Sequence, residues 1–426
     1  MKINTVLFIW CFSIFISYSQ SDTVLLMHPT VHTGTGKVIE NAIVAISAGK
    51  IISIQAAHLS TINILGKKAY SLKNKHLYPA FIALNSSIGL YEIEAVRASR
   101  DYAETGDYNP NVRALVAYNT DNDIIATTRS NGILLAQIFP RGGILQGTSS
   151  VMKLYGEHWE DAVYKADEGI VLAWPSYYNY GEPDDKSREE FAKNRKKNMA
   201  DIEKLFADAK IYAYNTTITQ ANLKLSALKG LYDGTKTLYI QAEFSKEIVE
   251  VINFCEKHGI KNKVIVGASK CDEAIDILKQ YKIPVILNRI HGLPMRTDDD
   301  LAYYYSLPKK LMESGILVAL SYYGDMEAMG TRNLPYLAGT AACYGMNRED
   351  ALKLITYNAA KILNIDAVTG TIEAGKEANM VVSDGDVLDM RTSNIIMAML
   401  QGIEIPLDNK HKTIYQKYTQ KYKLKP

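Results

Sequence analysis

From about Leu77 to Leu363 the chain alternates short apolar runs with amphipathic stretches long enough to be helices. The runs GILLAQIF, KTLYIQA, KVIVGA, IPVIL and ILVALSY lack the polar-apolar alternation of a sheet with one wet face. They read instead as parallel strands buried on both sides, each returning through a helix. Legible helices include Ser245 to His258, closed by Gly259, then Cys271 to Tyr281 and Arg348 to Leu363, each with an apolar stripe and an end signal. Flanking this centre are two β-rich ends. Thr23 to about Lys75 and the Gly-punctuated text after Asp366 read as hairpin strands. So small a strand set is hard to stabilise alone, so the two ends are expected to meet in one sandwich beside the barrel.

The expected fold is therefore α/β, a TIM-like (β/α)8 barrel over residues 79–364 with a composite β-sandwich from residues 20–78 and 365–405. Residues 406–426 form a tail, basic and aromatic, readable as an amphipathic terminal helix with a packing or a membrane-surface role. Residues 1–19 read as a secretory signal: Lys2, an apolar run from Val6 to Ile16, then the small residues Ser17 and Ser19. That run is short of the roughly 20 residues that span a bilayer. An exported, periplasmic or extracellular protein without a stable membrane span after cleavage is expected. With Cys11 in the signal, Cys255, Cys271 and Cys343 remain, too few and too odd for a disulfide framework, and Cys343 in AGTAACYG reads as a buried packing thiol.

Forty-eight basic against 46 acidic residues leave a net charge of +2, which argues against nucleic acid as the main partner. The charge-laced stretch of residues 187–210, after the aromatic loop YYNYGEPDD, reads as a helix on the outside of the barrel. Three long loop candidates, EIEAVRASRDYAETGDYNPNVRA, PRGGILQGTSS and MGTRNLPYLAGT, fall where β-to-α loops reach a barrel mouth. Arg97, Arg100, Arg141 and Arg332 within them suit a carboxylate ligand, or pair structurally with Glu92, Glu94 and Asp101.

Three segments together resemble the amidohydrolase superfamily, nearest its imidazolonepropionase-like branch: VHTGTGKVIENAIVAISAGKIISI, KHLYPAFIALNSSIGL and EDALKLITYNAAKILNIDAVTGTIEAGKEANMVVSDGD. The resemblance implies a hydrolase of non-peptide or dipeptide C–N bonds, with zinc held by histidines at the C-terminal ends of several strands. This chain departs from that pattern. Asn85 and Ser87 stand where the family has His-x-His, Gln241 replaces the His of the fifth strand, and Gly267 or Ala268 replaces that of the sixth. Two neutral oxygens are poor substitutes for two imidazoles. No metal ligand set and no cofactor is therefore expected, and catalysis is expected to be reduced, the alternative being an active hydrolase with an altered or metal-free site.

Asp325, two residues past Tyr323, is either the family's catalytic Asp displaced along the eighth strand or a loop residue capping a turn. Expected contacts to a small-molecule ligand or substrate are Asn85, Ser87, Gln241, Glu243, Arg141, His291, Tyr323 and Arg332. Expected protein partners are a second copy of the chain or an active paralogous subunit.

Overall fold

The computed structural model describes residues 23–424 apart from 64, 179–184, 216, 218, 219, 296 and 325. The signal segment, part of the aromatic loop and Asp325 thus lie outside the described residues. Eight strands form the central sheet: β1 (Phe81–Ser86), β2 (Ile133–Ile138), β3 (Leu145–Lys153), β4 (Val163–Ala173), β5 (Thr237–Phe244), β6 (Asn262–Lys270), β7 (Val285–Leu287) and β8 (Val318–Leu320). They pair in chain order, and a bridge between Leu84 and Ser321 brings β8 against β1. Every residue of β1, β2, β7 and β8 is buried, as continuous apolar runs require of strands covered on both faces.

The barrel departs from eight parallel strands at one place. β3 runs antiparallel to both β2 and β4, so PRGGILQGTSS is a tight turn feeding a strand, not a β-to-α loop. The turn is possible because Gly142 and Gly143 take positive φ, and a Cβ on Gly143 would lie 2.8 Å from the Gly106 carbonyl. Reversing β3 moves this turn, with Arg141 on it, to the C-terminal end of β2, where a TIM-like barrel has its mouth.

The seam between β8 and β1 is completed from outside the sheet. The helix expected from Arg348 to Leu363 is two helices, Arg348–Lys353 and Tyr357–Ile362. Between them the Leu354 carbonyl accepts from Leu320 N at 3.1 Å and the Ile355 carbonyl from Ile82 N at 2.9 Å. Buried strand N–H groups that lack a ladder partner are costly, and the broken helix supplies one to each side of the seam.

Ser245–His258 begins and ends where the sequence puts it. Glu247 in its first turn accepts from the backbone N–H of Glu243 and Phe244, Gly259 closes it in the left-handed region, and Ile248, Val251, Ile252 and Cys255 are buried. The charged stretch is the helix Asp185–Tyr214, whose Ile202, Phe206 and Ala209 are buried against the barrel, Phe206 edge-on to Phe254. Cys343 departs from expectation. It ends the helix Leu334–Cys343 and is exposed, because the buried face of that helix is Leu334, Leu337, Ala338 and Ala341.

The chain ends meet as expected. A four-stranded sheet from residues 24–71 faces a six-stranded sheet in which Met380–Ser383 pairs with His76–Pro79, and Leu26, Val44, Ile51, Leu77, Met380 and Val382 fill the space between them. At the junction with the barrel His32 and His76, 44 residues apart, are hydrogen-bonded at 3.1 Å, and the other ring nitrogen of His32 meets Glu349 at 2.7 Å. The tail helix Lys410–Tyr422 buries none of its residues. Among the described residues no helix is long and apolar enough to cross a membrane.

Candidate functional site at the barrel mouth

β1 ends in a kink. Asn85 takes φ 49°, which turns both its side chain and its carbonyl inward, and Asn85 and Ser87 are each 1% exposed. Both serve one ion pair. Arg141 donates from Nη1 to Asn85 Oδ1 at 2.8 Å and from Nη2 to the Asn85 carbonyl at 2.9 Å. The same guanidinium meets the Glu327 carboxylate at 3.0 Å, and Ser87 Oγ donates to that carboxylate. Glu327 opens the short helix after β8; it and Arg141 are 13% and 12% exposed. Arg141 also lies over the rings of Tyr323, at 4.8 Å, and Phe139.

Inside the mouth a hydrogen-bonded layer joins four strands. Gln137 on β2, Ser149 on β3 and Tyr239 on β5 all donate to the carboxyl of Glu168 on β4, at 2.7, 2.6 and 2.8 Å. The Asn85 backbone N–H donates to Gln137 Oε1 at 3.4 Å, which ties this layer to the Arg141 pair. Burial pushes Glu168 above the usual carboxylate range against the pull of its three donors, and pushes Tyr239 well above the usual phenol range. Gly169 makes room for the Tyr239 ring, which a Cβ there would approach to 2.3 Å.

On the β5 to β7 side Glu243 takes the space vacated on β6. A Cβ on Gly267, at φ 103°, would lie 2.5 Å from Glu243 Oε1. The Glu243 carboxyl instead lies over that bare backbone, accepting from Asn288 Nδ2 at 2.8 Å and from Ser269 N at 3.1 Å, with Ser269 Oγ donating as well. Desolvation raises its pKa, and the neighbouring Glu247 charge adds to the rise. Gln241 Oε1 accepts from Gln146 Nε2 at 3.2 Å, leaving Gln241 Nε2 and Gln146 Oε1 buried without a partner.

Asn85, Trp174, Gln241, Glu243, Asn288 and Tyr323 border a cavity of about 200 Å³. Six of the expected site residues therefore converge, counting Ser87 and Arg141, which stand behind Asn85. Two stand apart from the cavity lining. His291 is exposed and hydrogen-bonded to Thr340 Oγ1 at 2.6 Å, and Arg332 is half-buried on the turn Thr331–Asn333. Arg141 pairs with Glu327 rather than with Glu92, Glu94 or Asp101. Glu168, Gln137, Asn288 and Glu327 were not expected from the sequence. Of these only Glu168 carried a signal, a single acid at the edge of the apolar run GIVLA.

A model of the amidohydrolase family matches residues 236–405, from the start of β5 through the last strands of the sandwich. Imidazolonepropionase of Treponema denticola is 32% identical over 120 residues, 28% of this chain and 28% of that protein. The Fusobacterium nucleatum imidazolonepropionase is 26% identical over 192 residues, 45% of this chain and 43% of that one. The chain thus aligns with less than half the length of either relative. A solved amidohydrolase from Thermotoga maritima matches over 90% of this chain and 99% of its own, at 25% identity and a TM-score of 0.77. A Xaa-Pro dipeptidase structure, 13% identical with a TM-score of 0.56, shares the fold. The chain belongs to the amidohydrolase superfamily. Within it the sequence places the chain in the imidazolonepropionase-like branch, and the barrel and sandwich are those of that class of hydrolase.

The donors at this mouth do not fit the zinc that the superfamily implies. Asn85 and Ser87 offer neutral oxygens, and both are committed to the Arg141 and Glu327 pair. A divalent ion placed where they converge would face a guanidinium that cannot give up its charge. On β6 Gly267 is bare backbone under the Glu243 carboxyl.

Proposed function

We propose that this chain is a metal-independent member of its superfamily that holds a small polar molecule at the barrel mouth. One observation carries the reading: Arg141 stands as a fixed cation among the β1 residues that take the place of the metal-binding histidines, with Glu327 as its counter-charge. Metal-assisted hydrolysis needs an ion that activates water, and a guanidinium held by the Asn85 and Glu327 oxygens is no Lewis acid that could do so. The cavity beside it keeps the amide and carboxyl groups of a recognition site.

The second reading is a metal-free hydrolase of C–N bonds. It is favoured by Glu243, a partly buried acid bordering the cavity whose pKa is raised by burial, the direction a proton donor needs. Metal analysis of the purified protein, with and without chelator, tests the first reading. The expected result is zinc far below one ion per chain and a melting temperature unmoved by chelator. Stoichiometric zinc, or turnover of a cyclic amide or dipeptide abolished by chelator, would sink it.

A further inference from the structure

The reading of the barrel mouth as a ligand site leaves the ligand's charge open, and the residues around the cavity decide it. Among the described residues its lining includes two carboxyl groups, Glu243 and Glu247, and no Lys, Arg or His. Glu247 is 2% exposed and accepts from Ser176 Oγ at 2.8 Å and from three backbone N–H groups, so its hydrogen bonds are made but its charge has no counter-ion there. The nearby cations are committed elsewhere. Arg141 is neutralised by Glu327, Lys270 pairs with Asp299 at 2.6 Å, and Lys246 lies over the Tyr177 ring at 3.7 Å.

Two further features point to an occupant. Gln241, which borders the cavity, has its Nε2 buried with no partner, and so has its neighbour Gln146 its Oε1. Trp174 and Tyr323 furnish aromatic walls, with the Trp174 Nε1–H already given to Glu250 so that its ring is what remains.

We propose that the cavity takes a small organic cation, its ammonium group set toward the Glu243 and Glu247 carboxylates and its apolar part against Trp174 and Tyr323. An anion would add a third negative charge to the site. A neutral molecule would leave two carboxyl groups uncompensated in a low-dielectric mouth. A cation satisfies both and gains from the aromatic faces. Without ligand, burial raises the Glu243 pKa. The ammonium opposes that rise, so binding releases protons and affinity rises with pH across the Glu243 titration.

A matched set of probes tests the charge alone. A dry cavity of about 150 Å³ admits benzene, so benzylammonium, benzamide and benzoate suit a space of about 200 Å³. Titration calorimetry of the full chain at matched ionic strength should show benzylammonium binding at least about tenfold tighter than benzamide, a margin of ~1.4 kcal/mol, and no binding of benzoate. Glu243→Gln should erase that margin. In the wild-type protein, two buffers of different ionisation heat should report proton release when benzylammonium binds, a readout that needs no variant. Benzamide or benzoate binding as tightly as benzylammonium would overturn the inference while leaving a ligand site in place. Failure of all three to bind would overturn it as well. Benzylammonium binding that is lost with a stoichiometric zinc ion would instead overturn the metal-independent reading and spare the charge assignment.

Discussion

Arg141→Met is the substitution that most directly interrogates the barrel mouth. It removes the charge while keeping an unbranched apolar stem over Phe139 and Tyr323. What it leaves behind sets the magnitude. Glu327, 13% exposed, would retain Ser87 Oγ as a donor but lose its counter-charge, and two Asn85 oxygens would lose the N–H groups now at 2.8 and 2.9 Å. Breaking a buried ion pair on one side costs about 3–5 kcal/mol, and the remaining exposure of this one places it near ~3 kcal/mol. Unfolding entropy of about 2.1 cal/mol/K per residue over 426 residues amounts to roughly 0.9 kcal/mol/K, so the melting temperature should fall by about 3 °C. Urea unfolding gives the free energy and differential scanning calorimetry the temperature. Removing both partners, in Arg141→Met with Glu327→Met, should restore most of the loss, giving a coupling of about 2–3 kcal/mol in the double-mutant cycle. The reasoning is refuted if Arg141→Met lies within about 0.5 kcal/mol of wild type, or if the two single losses simply add.

The same pair predicts how the site responds to restored ligands. Asn85→His with Ser87→His should bind no zinc by equilibrium dialysis in the wild-type background, and should bind it once Arg141→Ala is added, because the two imidazoles and the freed Glu327 then make an N,N,O set; zinc binding with Arg141 still present would contradict the assignment. A second test concerns Glu168. Its pKa is raised in the folded state, so the native protein binds more protons than the unfolded chain above about pH 4.3, and stability contributed by this group is lost as pH rises through that window. Glu168→Gln, whose neighbours Ser149 and Tyr239 can reverse their hydroxyl donors, should therefore flatten the fall in urea stability as pH rises above about 4.3. An unchanged slope would show that Glu168 is not the group responsible.

Much of the fold was legible because apolar runs buried on both faces have a texture that one-sided strands lack. The runs of β2, β5, β6, β7 and β8 each appear as strands where the sequence places them, and Ser245–His258 has both its ends. Less legible was the direction of β3. A strand reads the same whether it runs up or down, and only the tight Gly142 and Gly143 turn settles the matter. The break at Leu354 to Thr356 was hidden for a related reason. ALKLITYNAAKIL has a continuous helical pattern, and what ends the helix is the demand of β1 and β8 for two carbonyls. Cys343 was misplaced because an apolar neighbourhood in sequence does not say which side of a helix faces inward.

The sequence by itself determined that histidines are absent from three strand ends while the surrounding barrel text is kept, since residue identity and strand periodicity are local properties. It also brought Asn85, Gln241, Glu243 and Tyr323 to one mouth, because parallel strands in a barrel all end there. Tertiary structure alone decided what replaced the histidines. Arg141 meets Glu327 across 186 residues, His32 meets His76 and Glu349, and Glu243 fills the space over Gly267. Each is a contact between groups remote in the chain, and charge and hydrogen bonding act through distance in space, which no local pattern encodes.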